Sequence, residues 1–208
     1  MHIQKSQSKS LDVFKVYMRL FIIILVLIFS FQSWTKADDI SDFEIEGMSI
    51  GDSLLDFFSE EEIVNPDGIY KYKESDKFYH IGFNSIGKFD VVTFTIKKND
   101  TSYKIYQVGG EITAMKIQDC HNLKKEIDEE IVQMFESNIE RLVTDFKTKI
   151  DKTGKSIFYT IKYLFESADL IVLQCKDYSE ETGANDGLLL DIASGEFEHW
   201  LATEIYKY

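Results

Sequence analysis

The residue of this sequence most suited to covalent chemistry is Ser53, in the stretch "GDSL" at residues 51–54. A serine hydroxyl attacks an ester carbonyl when a neighbouring base removes its proton, and the resulting oxyanion needs hydrogen-bond donors. An exported protein with such a serine could therefore carry out acyl transfer.

The tetrapeptide resembles the motif of the secreted esterases and lipases named after Gly-Asp-Ser-Leu, and Asn185 and His199 follow it in the order of that family's later motifs. The resemblance implies Ser53 as nucleophile, Asn185 at the oxyanion and His199 as the base. That family's serine follows a buried parallel strand, which would be an almost unbroken apolar run. Residues 43–48 instead alternate between apolar and polar types, and residues 76–117 predict hairpins where a parallel sheet needs helical crossovers. Only 13 residues separate Asn185 from His199, where the family has a long stretch of its fold. A serine esterase using Ser53 therefore stays an alternative prediction.

A structural role explains Ser53 better. Serine and aspartate are preferred N-cap residues, so either Ser53 or Asp52 is predicted to cap a helix over residues 54–58. Asp56 stands three residues after Ser53 and resembles the second member of a capping box. The preferred interpretation of the tetrapeptide is a helix start.

Acidic residues near position 180 are the candidate metal ligands. Asp177, Glu180 and Glu181 could supply oxygen atoms to calcium, but they lack the regular spacing of a calcium loop. The histidines are unaccompanied by other ligands at zinc spacing, so His80 is predicted to be a core or surface residue. We therefore predict no metal and no cofactor, with calcium at the three acidic residues as the weaker alternative.

The first 37 residues have the pattern of a secretory signal peptide. Basic residues precede an apolar run over residues 20–31, and small residues precede a cut after Ala37. The apolar run is short for a membrane span, although an uncleaved N-terminal anchor is the alternative. Cleavage would leave residues 38–208, a length that suits a single domain in the periplasm or outside the cell.

The charge of the mature chain restricts its partners. Removing the leader takes away five basic residues and one acidic residue, which changes the formal net charge from −13 to −17. Such a chain repels nucleic acid and anionic membrane surfaces. The expected partners are an envelope protein or a small ligand, with no nucleic acid and, after signal cleavage, no membrane.

The two cysteines of the chain, Cys120 and Cys175, both fall in the mature part. An exported protein meets oxidising conditions, so we predict a disulfide between them. A pair of buried thiols is the alternative.

The hydrophobic pattern predicts an α+β fold with three helices and an antiparallel, hairpin-rich sheet. Helical spacing covers residues 121–147 and 196–205, in addition to the short helix after Ser53. Tight turns are expected at residues 99–100 and 109–110. The order of elements indicates two successive units, each a helix followed by an antiparallel meander. The predicted strands cover residues 78–83, 89–96, 103–108, 111–117, 157–165, 170–175 and 188–192.

Four segments resemble those of small uncharacterised exported proteins of marine alphaproteobacteria: "FEIEGMSIGDSLLDFFSEEEI", "DKTGKS", "CKDYSEE" and "EFEHWL". The resemblance implies export and the same paired cysteines. It implies no activity and therefore no catalytic residues.

The function predicted from the sequence is that of an exported periplasmic protein that binds or interacts without catalysis. The alternatives are the serine esterase and a structural component of the cell envelope that associates through its edge strands.

Overall fold

An eight-stranded antiparallel sheet dominates the computed structural model, which describes residues 39–206. The predicted signal peptide lies outside these residues. The strands are β1 (Gly68–Lys71), β2 (Phe78–Ile86), β3 (Phe89–Lys97), β4 (Gln107–Thr113), β5 (Ile139–Lys147), β6 (Ile157–Phe165), β7 (Leu170–Asp177) and β8 (Gly187–Ala193). The α-helices are α1 (Glu60–Val64), α2 (Ile117–Phe135) and α3 (Gly195–Trp200). The predicted α+β class is confirmed.

The strand order is β1-β2-β3-β4-β8-β7-β6-β5, which consists of two four-stranded meanders. Every neighbouring pair is antiparallel, and the two meanders join where β4 pairs with β8. A helix precedes each meander, α1 before β1 and α2 before β5. The two predicted helix-plus-meander units are therefore present, and they share one continuous sheet.

One face of the sheet is apolar and forms the main core under α2. Alternate residues of each strand point to the same face, and in the six central strands, β2–β4 and β6–β8, those on this face are mostly buried and aliphatic or aromatic. Helix α2 packs on β7 and β8 and contributes Ile131 and Phe135 to this core. Among residues 39–206, no helix combines the length and the apolar character needed to cross a membrane.

A disulfide joins α2 to β7. Cys120 and Cys175 are both fully buried, with a Cα–Cα distance of 5.9 Å. The predicted bridge is confirmed.

A charged cluster holds α2 to the far half of the sheet. The Arg141 guanidinium on β5 donates two hydrogen bonds of 2.7 Å to the Asp128 carboxylate on α2. The buried Tyr163 hydroxyl on β6 donates a third to Asp128, also 2.7 Å long. These bonds hold the pKa of Asp128 below its usual value although partial burial opposes them.

The long helix ends earlier than its sequence pattern predicts. Helical spacing was expected as far as residue 147, whereas α2 stops at Phe135 and Ile139–Lys147 is strand β5. Glu136 adopts a φ of 43°, which breaks the helix. The residues after it then pair with β6 along their whole length, and this tertiary pairing overrides the helical spacing.

The expected turn at residues 109–110 is also wrong, because Gly109 and Gly110 lie inside β4. Glycine is required there by close neighbours: a Cβ at Gly109 would fall 2.6 Å from Oδ1 of Asp191. A Cβ at Gly110 would fall 2.5 Å from Cδ1 of Phe89. The two predicted strands on either side of this dipeptide are therefore one strand that begins at Gln107.

Candidate polar ligand site

Ser53 is an N-cap, as the structural interpretation predicts. Its hydroxyl oxygen accepts a hydrogen bond of 3.2 Å from the Leu55 amide and donates one of 2.6 Å to the Ser102 carbonyl. The capped element is a single 3₁₀ turn, Leu54–Asp56, shorter than predicted. The capping box lies at the next helix, where Ser59 and Glu62 form it, and not at Ser53.

The other residues of the hypothetical esterase site lie elsewhere in the chain. Asn185 is exposed in the loop before β8, and His199 is exposed on α3. The hydrogen bonds of the Ser53 side chain go to Leu55 and Ser102 and to neither of these residues.

We expect Ser53→Ala to lower the free energy of unfolding by about 0.5–2 kcal/mol, the usual cost of a lost cap. Ser53→Thr should retain most of the stability because its hydroxyl can both accept from Leu55 and donate to Ser102. Ser53→Asp can only accept and should recover part of the loss. Urea unfolding of the three variants measures this order. Hydrolysis of a short nitrophenyl ester by the wild type that the folded alanine variant loses would contradict the structural role.

The acidic residues considered for calcium have other interactions. Asp177 ends β7, and both burial and the neighbouring Asp186 raise its pKa. Glu180 and Glu181 open a 3₁₀ turn, and Glu181 accepts a hydrogen bond from Lys155. Within residues 39–206, no group of three His, Cys, Asp or Glu side chains is placed to hold a metal.

The sheet face opposite α2 carries a chain of polar side chains. His80, Thr95 and Gln107 are directly opposed on β2, β3 and β4 and share this face. Tyr72 reaches His80 from one side, and Asp191 on β8 meets Gln107 on the other. The chain is defined by these five residues and is called the polar chain below.

Hydrogen bonds run in one direction along the polar chain. The Gln107 amide nitrogen donates to Oδ1 of Asp191, which leaves its carbonyl oxygen to accept from the Thr95 hydroxyl. Thr95 can then accept from Nδ1 of His80, 2.6 Å away. Nε2 of His80 therefore accepts from the Tyr72 hydroxyl at 2.5 Å. With this assignment Tyr72, His80, Thr95 and Gln107 each donate a hydrogen bond to the next member of the chain.

Burial sets the protonation of the chain at both ends. Desolvation lowers the pKa of His80, so its imidazole is neutral at neutral pH, as the hydrogen-bond direction requires. Desolvation also raises the pKa of Asp191 to about 7, and the nearby Glu198 carboxylate adds to this rise. The pKa of Glu198 is itself raised by burial. Asp191 is thus an acid that changes charge near neutral pH.

Helix α3 covers one side of the polar chain with aromatic rings. Phe197 lies 5.8 Å from the His80 ring, and Trp200 lies 4.9 Å from both Tyr72 and Phe78, measured between ring centroids. Phe197, Trp200 and Phe78 are almost completely buried. This cover excludes water from one side of His80 and accounts for its lowered pKa.

An open groove of about 320 Å³ lies along the other side of the polar chain. Its floor contains Gly82 and Thr93, which are opposed across β2 and β3, and Gly68 of β1 extends it to the sheet edge. The absence of side chains at the two glycines leaves the space empty. The described lining residues are Asp67, Gly68, Ile69, Tyr70, His80, Ile81, Gly82, Asn84, Val91 and Thr93.

The groove lining is suited to holding a ligand. Both ring nitrogens of His80 have protein partners, so neither is directed at the groove as a general base. The described lining includes no serine, cysteine, lysine or arginine, and Thr93 donates its hydroxyl hydrogen to the Gly109 carbonyl. What the lining does offer is hydrogen-bond acceptors, aromatic surface and the Asp67 carboxylate.

Sequence reasoning did not find the polar chain. His80 was predicted only to be a core or surface residue, and the other four residues of the polar chain belong to no recognised motif. The available signal was the alternation within the strands, since His80, Thr95, Gln107 and Asp191 all stand at positions that point away from the apolar core. Which strands are neighbours had to be known before these positions could be combined.

Comparisons with known proteins do not assign this chain to a family. No protein-family model matches the chain, and no curated protein matches it. A solution structure of cyanobacterial PsbP (CyanoP) from Synechocystis sp. PCC 6803 aligns with a TM-score of 0.34 and 13% identity, covering 67% of this chain and 86% of that one. A TM-score this low supports no conclusion about function. The resemblance to exported proteins of marine alphaproteobacteria stays a prediction.

Proposed function

We propose that this is an exported, non-catalytic binding protein that takes a small organic cation into the groove beside the polar chain. The observation that carries the proposal is the composition of the groove: a carboxylate, two aromatic rings and hydrogen-bond acceptors, with no lysine or arginine among its described lining residues. Export is supported by the leader pattern and by the disulfide.

The groove has the elements that recognise an amine or ammonium group. Tyr70 and His80 stand with their ring centroids 5.8 Å apart on one wall, where a ring face can attract a cation. Asp67 adds a negative charge to the lining and accepts a hydrogen bond of 2.8 Å from the backbone amide of Asn84, which fixes its position. The net charge of the mature chain would raise the local concentration of a cationic ligand as well.

The polar chain would hold this site rigid. His80 is fixed by Tyr72 on one nitrogen and by Thr95 on the other, so its ring keeps one orientation toward the groove. A preorganised wall lowers the entropy lost when a ligand binds.

Binding can be tested with choline and putrescine as probes, by isothermal titration calorimetry at low salt. Gly82→Val should abolish binding because the new side chain fills the floor of the groove. It should keep the fold, since a Cβ at Gly82 meets its nearest atom, Cγ2 of Thr93, at an ordinary 3.7 Å. Asp67→Asn should weaken binding about tenfold, the effect of losing roughly 1.4 kcal/mol of attraction.

Asp90→Asn is the matched control, because Asp90 is an exposed carboxylate on β3 outside the groove lining. It should bind both probes as the wild type does. Equal binding by the wild type and Gly82→Val would place the ligand elsewhere, and no binding of either probe would exclude this ligand class.

A further inference from the structure

The edge strand β5 is a feature that the proposed ligand site does not use. β5 ends the strand order, so in the part of the chain from 39 to 206 no strand pairs with its outer edge. It pairs with β6 through nine consecutive residues without a bulge, and it contains neither proline nor glycine. A long regular edge of this kind offers backbone N–H and C=O groups to another strand, and proteins usually protect such an edge.

Apolar side chains are exposed along the same edge. Leu142, Val143 and Phe146 have exposed fractions of 41%, 56% and 45%. They point to both faces of the sheet, because positions 142 and 146 alternate with position 143. A strand added beside β5 would reduce this exposure, since its own side chains would pack beside those of β5 on each face.

We propose that β5 pairs antiparallel with β5 of a second copy of this chain, centred on Val143, so that the two sheets become continuous. In this register Val143 lies opposite itself, and Leu142 lies opposite Thr144. Arg141 lies opposite Asp145 of the second copy, and the two-fold symmetry forms this pair twice. Opposite charges directly across an antiparallel pair are stabilising.

Neighbouring symmetric registers lack this complementarity. Centring the pair on Thr144 would place Arg141 opposite Lys147, which sets like charges against each other twice. Centring it on Leu142 would place Arg141 opposite Val143 and leave Asp145 opposite Ile139. The sequence of β5 therefore selects the register centred on Val143.

Arg141 keeps part of its side chain open to solvent. Its two hydrogen bonds to Asp128 fix the guanidinium, and its side chain remains 37% exposed. The exposed part of this side chain remains open to a second carboxylate.

The assembly is tested by sedimentation equilibrium on the protein recovered after expression of the full chain. The wild type should be a dimer. Asp145→Arg places arginine opposite Arg141 of the other copy and should raise the dimer dissociation constant by more than about tenfold, with Asp145→Asn between the two. Circular dichroism checks that the variants are folded. A monomeric wild type would overturn the proposal.

Single cysteines test the register. Val143→Cys should form a covalent dimer on mild oxidation, because residue 143 opposes itself at a Cα distance that a disulfide can span. Thr144→Cys alone should not cross-link, whereas a mixture of Leu142→Cys and Thr144→Cys should. Efficient cross-linking of Thr144→Cys alone would contradict this register. Asp145→Arg should bind choline and putrescine as the wild type does, so failure of the dimer and failure of the ligand site are distinguishable.

Discussion

Asp191→Asn is expected to stabilise the protein by about 2–4 kcal/mol at pH 8 and to have almost no effect at pH 4. Burial raises the pKa of Asp191 to about 7 in the folded protein, from 3.8 in the unfolded chain. Below pH 3.8 both states hold the proton. Between pH 3.8 and 7 only the folded state holds it, so stability falls as the pH rises, by up to about 1.4 kcal/mol per pH unit. Above pH 7 the penalty is constant.

Asparagine avoids this penalty while retaining the contact. Its side-chain carbonyl can still accept the hydrogen bond from the Gln107 amide, so the polar chain stays connected. Urea unfolding of the wild type and the variant at several pH values measures the difference in their free energies of unfolding. The titrations of His80 and Glu198 contribute to both proteins and largely cancel in this difference. Asp90→Asn, an exposed aspartate of β3, serves as the control and should show no comparable gain. A difference that is the same at pH 4 and pH 8 would show that Asp191 titrates normally.

Removing the disulfide is expected to lower the free energy of unfolding by about 4 kcal/mol. Cys120 and Cys175 are 55 residues apart, and opening a loop of that length restores this much conformational entropy to the unfolded chain in the usual estimate. The double variant Cys120→Ala with Cys175→Ala should therefore unfold at a much lower urea concentration than the wild type.

Reduction supplies the matched control for this experiment. Dithiothreitol should destabilise the wild type nearly to the level of the double alanine variant, and it should leave the variant itself unchanged. If the free energy of unfolding of the double variant lies within about 1 kcal/mol of that of the oxidised wild type, the disulfide constrains little of the unfolded chain.

The parts of the fold that follow from local pattern were predictable. The alternation of β2 and β3 and the cysteine pair each carry their signal within a few residues or in the composition. The errors arise where a distant contact decides the local conformation. A Gly-Gly dipeptide considered alone indicates a turn. Gly109 and Gly110 nevertheless lie within a strand, where Asp191 and Phe89 pack against them.

The candidate site depends even more on distant contacts. Tyr72 and Asp191 are more than a hundred residues apart in sequence, and they enter one hydrogen-bonded chain only because β8 pairs with β4. Strand order in an antiparallel sheet is not encoded in the spacing of any single strand. The residues could therefore be assigned to the outer face of their strands, but their grouping required the topology.

The junction between β4 and β8 also bears on how the chain reaches its folded state. Within residues 39–206, six of the seven strand pairings are between strands that follow one another in the chain, whereas β4 and β8 pair residues separated by 74 to 86 positions. Pairings that close long loops are slow to form, and contacts of high sequence separation reduce folding rates. Each meander can therefore form early. The outer edge of β4, the last strand of the first meander, stays unpaired until β8, the last strand of the second meander, has formed. During that interval the open edge of β4 can pair with a wrong strand.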